Sequence, residues 1–200
     1  MKKKLALVLA VVMVFAVTVG ATLAWLTDTT TEVKNTFTVG GIDITLTETW
    51  NTDTDSDKVN DSWSAQLIPG KEYAKDPVVA VDGTKTNVDC FLFVKFEEKN
   101  TPAEYLDYTS TLTVANGWTE LTSGVWYRIV KTTDTTKSWE LLDGNKVTVK
   151  SDLTKEEMPA TTATPELVYT AYAIQTEGFA EDLDNVTSAE AQAAWAEVSN

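Results

Sequence analysis

The chain has 200 residues, of which 30 are acidic, 16 basic and none histidine, so its formal charge is −14. A surface of that sign repels nucleic acid and anionic lipid, which excludes DNA binding. The missing histidine removes Ser-His-Asp and Cys-His nucleophilic pairs and every imidazole zinc site, and a single cysteine, Cys90, forbids an intrachain disulfide.

In chain order, Met1, Lys2, Lys3 and Lys4 precede an apolar run from Leu5 to Val19, followed by Gly20, Ala21, Thr22, Leu23 and Ala24. A basic start, an apolar core and small residues at Thr22 and Ala24 predict a secretory signal peptide over residues 1–24, cut before Trp25. The competing reading is an uncleaved anchor, because Leu5 to Leu26 is long enough to span a bilayer. Cleavage leaves 176 residues with 13 basic and 30 acidic side chains, a charge of −17, and a length that suits one domain.

The segment that follows, residues 25–35, is rich in β-branched side chains at Thr27, Thr29, Thr30, Thr31 and Val33, with Trp25 and Leu26 as apolar anchors. It has no obvious partner strand nearby, so it is predicted to pair with an open sheet edge of a neighbouring subunit. The plain alternative is an end that stays loose or docks on its own domain.

Residues 36–200 read as one all-β domain, a jelly-roll-like β-sandwich. Thr36 to Val39 and Ile42 to Trp50 flank Gly40 and Gly41, where a change in the parity of apolar positions predicts a bulge or bend. Val88 to Glu97 carries Val88, Cys90, Leu92, Val94 and Phe96 on one face and Phe91 and Phe93 on the other, as a mid-sheet strand would. Leu112 to Ala115 and Trp118 to Leu121 are predicted to form a hairpin around Asn116-Gly117, and Trp139 to Leu142 and Val147 to Lys150 another around Asp143-Gly144-Asn145. Val125 to Lys131 and Leu167 to Thr176 add two strands, the second apolar on both faces. Thr187 with Glu190 fits a capping box, and Ala191, Ala194, Trp195 and Val198 recur at helical spacing. A short helix at about residues 187–198 is therefore expected, docked on the sandwich edge.

Asp53, Asp55, Asp57 and Asp61 alternate as in a calcium loop. Lys58 and Ser64, however, stand where an EF-hand needs glycine and glutamate, so a solvated acidic loop is the stronger reading and calcium a weak one. Carboxylate pairs could run glycosidase chemistry, but 30 acidic residues make chance pairs inevitable, and no catalytic residue or cofactor is assigned. Of the seven tryptophans, Trp126, Trp139 and Trp195 lie in apolar patterns and are expected in the core. Trp50, Trp63 and Trp118 lie near strand ends and are candidates for an exposed glycan-binding face. Cys90 reads as a buried small hydrophobe rather than a reactive thiol.

The stretch ATLAWLTDTTTEVKNTFTVGGIDITLTE, residues 21–48, closely resembles the signal-cleavage region and first strand of the TasA and camelysin family of exported proteins. The matching positions are Thr22, Ala24, Trp25, Asp28, Asn35, Thr36, Phe37 and Gly40. Residues 67–96, LIPGKEYAKDPVVAVDGTKTNVDCFLFVKF, and residues 168–175, VYTAYAIQ, also resemble the group. The resemblance implies processing by a SipW-type signal peptidase, a jelly-roll domain, and secretion from a Gram-positive cell to its surface or surroundings. It further implies assembly into biofilm-matrix, surface or spore-coat-associated fibres through a donated N-terminal strand. Members called camelysin are described as metallopeptidases, but the chain has no His-Glu-x-x-His, so that activity is not carried over. The expected function is that of a non-enzymatic structural subunit that associates with itself or a related fibre subunit and meets the membrane only through its uncleaved leader. The alternative is a monomeric secreted binding module for a glycan or another surface partner.

Overall fold

The computed structural model describes residues 41–48, 66–159 and 164–199, together with the backbone of Thr27–Thr30. Among these residues, strands in antiparallel sheets and a short C-terminal helix make up the regular structure. The largest sheet has five strands in the order β1 (Thr27–Thr30), β11 (Glu166–Gln175), β5 (Cys90–Lys99), β8 (Val125–Val130) and β7 (Thr119–Thr122). A second sheet orders β2 (Ile44–Thr47), β4 (Val78–Val81) and β9 (Ser138–Glu140), and a third orders β3 (Glu72–Ala74), β10 (Lys146–Val149) and β6 (Leu106–Asp107). One helical turn, α1 (Pro102–Tyr105), follows β5, and α2 (Ser188–Val198) closes the chain.

The two apolar faces of β5 decide the layering. Its even positions Cys90, Leu92 and Val94 share a core with Ile44, Val79, Val81 and Leu141, which belong to or adjoin the second sheet. Its odd positions Phe91 and Phe93 pack with Tyr127, Ile174 and the α2 residues Ala191, Ala194 and Val198. The order of layers is therefore second sheet, five-stranded sheet, helix. A strand covered on both faces must also be paired on both edges, because an unpaired buried backbone group is costly. β5 meets this condition, with β11 opposite all of it and β8 opposite Cys90–Lys95.

Both predicted hairpins are corrected. Val114–Asn116 forms a 3-10 turn closed by Gly117 in the left-handed region, and β7 pairs not with the segment before it but with β8. The turn between β7 and β8 is Ser123-Gly124, where φ at Gly124 is +75° and a Cβ would lie 2.7 Å from the Phe96 carbonyl oxygen. Asp143–Asn145 likewise turns the chain without joining its flanks: β9 pairs with β4, whereas β10 pairs with β3 and β6. Asx-Gly pairs signal that the chain turns, but which strands then meet is set by burial of Leu141, Leu142, Val147 and Val149.

The capping box of α2 forms as expected: the Thr187 hydroxyl accepts from the Glu190 N–H, and the Glu190 carboxylate accepts from the Thr187 N–H at 2.7 Å. Its position differs from expectation, since α2 lies over a face of the five-stranded sheet rather than along an edge. Large rings on that face explain the difference. Trp195 meets Phe93 at 5.3 Å and Tyr172 at 5.0 Å between centroids, and only a face offers both. Ile42 and Ile44 are buried, as their parity predicts, although β2 is shorter than the strand expected over 42–50. The signal peptide, Thr36 to Gly40, and the end of that strand lie outside the described residues.

Candidate functional site

The sequence points to the N-terminal segment, and the structure places part of it. β1 runs antiparallel along β11, with Thr27 opposite Ile174, Asp28 opposite Ala173, Thr29 opposite Tyr172 and Thr30 opposite Ala171. The segment thus docks on its own domain, as the plain alternative has it, with β11 as a partner strand distant in sequence. β11 can serve because its faces differ: Ala171 and Ala173 belong to the inner core, whereas Tyr172 and Ile174 belong to the core under α2. α2 and β2 both contact β1, so the strand lies in a slot between helix and second sheet. Among the described residues, the outer edge of β11 is paired only at Ala171–Ile174, while its inner edge is paired throughout by β5. Thr27 and Thr29 are therefore located. Trp25, Leu26, Thr31, Val33 and the cleavage residues Thr22 and Ala24 lie outside the described residues.

The other sequence candidates divide. Asp53, Asp55, Asp57, Asp61, Trp50 and Trp63 lie outside the described residues, and among those described no group of three or more ligating side chains is disposed to hold a metal ion. Cys90 is fully buried; burial, with the Asp89 charge adding to it, pushes the thiol up to about 12. Such a thiol is inert at neutral pH. Trp126 and Trp139 pack against the inner core as expected. Trp118 does not reach the surface: it is 1% exposed, set edge-on to Trp139 at 6.3 Å. Among the described residues no helix is long and apolar enough to cross a membrane.

Among the described residues two concavities stand out. A groove of about 430 Å³ is lined by Phe96, Leu112 and Trp126 with Glu98, Ser110, Ser123 and Gly124. At Glu98 the Tyr108 hydroxyl donates to the carboxylate; burial first, and then this bond, push Tyr108 above the ordinary tyrosine range. A second cleft, of about 380 Å³, is lined by Arg128, Asp134, Thr135, Thr136 and Trp139. The Arg128 guanidinium carbon lies 4.1 Å from the centroid of the Trp139 ring and 5.0 Å from that of Trp118. Burial lowers the Arg128 pKa from its ordinary value, and among the described residues its Nε and Nη1 are buried without a hydrogen-bond acceptor. Sequence reasoning passed over Arg128; its signal is that it is the only arginine of the chain.

No family model matches the chain, and no curated protein or solved structure matches it at a significant level.

Proposed function

We propose that the chain is an exported, non-enzymatic structural subunit that joins copies of itself, or of a related subunit, by passing its N-terminal strand to a neighbour's sheet edge. The observation that carries this reading is the position of β1: a four-residue strand at the outer edge of β11, the first described strand of the chain, covering less than half of its partner. An edge strand so short is held by few main-chain bonds, and another copy's β1 offers β11 the same bonds in the same register. Before cleavage the leader would pin this segment at the membrane, so processing before Trp25 would free the strand only after export.

The resemblance to the TasA and camelysin family supports the same reading, including a jelly-roll arrangement of the sheets, a SipW-type processing step and a place in an extracellular or spore-associated fibre. The groove beside Trp126 favours a second reading, a monomeric glycan-binding module, because two aromatic side chains and three polar ones converge there. Static light scattering of the processed protein over a range of concentrations, with electron microscopy of the product and N-terminal sequencing, tests the proposal. Concentration-dependent filaments whose subunits begin at Trp25 are expected. A monomer at every concentration would overturn the assembly reading in favour of the binding module.

A further inference from the structure

Among the described residues Arg128 forms no ion pair, and the Asp134 charge acts on it only through space. Lys75, Lys85, Lys95, Lys99, Lys131 and Lys146 each pair with a carboxylate, but Arg128 pairs with none among the described residues, in a chain with 30 acidic side chains. Its guanidinium lies against two indoles set edge-on to each other instead. Aromatic faces attract a cation, yet they offer no acceptor to its in-plane N–H groups. Withdrawing a cation from water without acceptors for its N–H groups is costly, and part of that cost is recovered by whatever brings an anionic acceptor. Space for that anion is present, since Arg128 lines the open cleft bounded by Trp139, Asp134, Thr135 and Thr136.

The cleft also restricts which anion fits. Asp134 shares it, with Oδ2 held by the Lys131 backbone N–H at 2.8 Å, so a bare anion would face a fixed negative charge. A ligand that turns a carboxylate to Arg128 and a hydroxyl to Asp134 meets both with the correct sign. Thr135 and Thr136 add hydroxyls able to donate and accept, and the Trp139 ring adds an apolar wall. The volume suits one monosaccharide unit. We infer that this cleft binds a carboxylated sugar, its carboxylate on Arg128 and its hydroxyls on Asp134, Thr135 and Thr136. The site is independent of the β1 edge and of the groove beside Trp126.

Isothermal titration of the purified protein with glucuronate tests this, with glucose and acetate as the ligands lacking one group each. Saturable binding with a Kd on the order of 1 mM is expected, and glucose and acetate should bind at least about tenfold more weakly. Arg128→Lys keeps the charge but loses the planar fork, and should weaken glucuronate at least about tenfold. Its fold is checked by near-ultraviolet circular dichroism. The double variant T135A/T136A, at exposed positions on the rim, gives the same readout if Arg128→Lys fails to fold. Tighter binding of an oligouronate than of the monomer would identify a polysaccharide as the source, and equal binding a free sugar; both support the site. Absence of saturation by glucuronate, equal affinity for glucose or acetate, or undiminished binding in the folded variants would overturn it.

Discussion

Removing residues 25–34 tests the detachable character of β1. Four residues of β1 are paired with β11, so a ladder of about four hydrogen bonds is lost, each worth about 1 kcal/mol net. Against this, ordering the backbone of four residues costs about 1 to 2 kcal/mol each, which the truncated chain no longer incurs. The two terms offset to within a few kcal/mol, so the domain should remain folded. At about 2–4 °C per kcal/mol for a chain of this size, Tm should shift by no more than about 15 °C. Thermal unfolding followed by circular dichroism measures this, and light scattering of the same samples should show a monomer that no longer polymerises. Two results would refute the reasoning. Loss of cooperative unfolding at room temperature would mean that β1 is integral to the domain, and fibres formed at the unchanged concentration would mean that another surface joins the subunits.

Acid should loosen the turns. Asp82 is held at about 2, below its ordinary 3.8, because its carboxylate accepts from the Thr84 hydroxyl and N–H at 2.6 and 2.8 Å. Glu190, Glu157 and Asp182 are lowered in the same direction, chiefly by hydrogen bonds from Thr187, from Thr154, and from Asn185 with Asp184. A group with a depressed folded pKa stabilises above its unfolded value and loses that contribution as pH falls through the folded one. Denaturant melts between pH 5 and 2 should therefore show falling stability, with a shallower slope in D82N; an unchanged slope would count against this assignment. Cys90 should resist a thiol-labelling reagent at pH 8 until the protein is unfolded, and stoichiometric labelling of the native protein within minutes would contradict its burial. Phe93→Ala should cost about 3–5 kcal/mol in guanidinium titrations and Trp195→Ala less, since Phe93 is fully buried and Trp195 only partly. Equal losses would show that α2 is as integral as the central strand.

Local pattern carried some of these features and not others. β5 was legible because both its faces are apolar, and α2 because Thr187 and Glu190 form a self-contained cap within one turn. Hairpin partners were not legible at Asn116-Gly117 or at Asp143-Gly144-Asn145. There the turn chemistry is local, while the pairing is decided by distant residues such as Val79 and Tyr73, which lie opposite Trp139 and Val147. The working hairpin, at Ser123-Gly124, has no Asx residue to announce it. Trp118 was misplaced for a related reason: being near a strand end says nothing of what packs above, and here Trp139 and Arg128 do. The partner of β1 was hidden by sequence separation alone.

The position of β11 also bears on the order in which the domain can form. β5 needs β11 to cover its outer edge, yet β11 is the last strand among the described residues and α2, which covers Phe91 and Phe93, comes later still. Until β11 is available, the run Cys90–Val94, later wholly buried, has one bare edge, and until α2 is available it has one bare face. Such a segment is prone to stick to other nascent chains, and a topology that pairs strands as distant in sequence as β1 and β11 folds slowly.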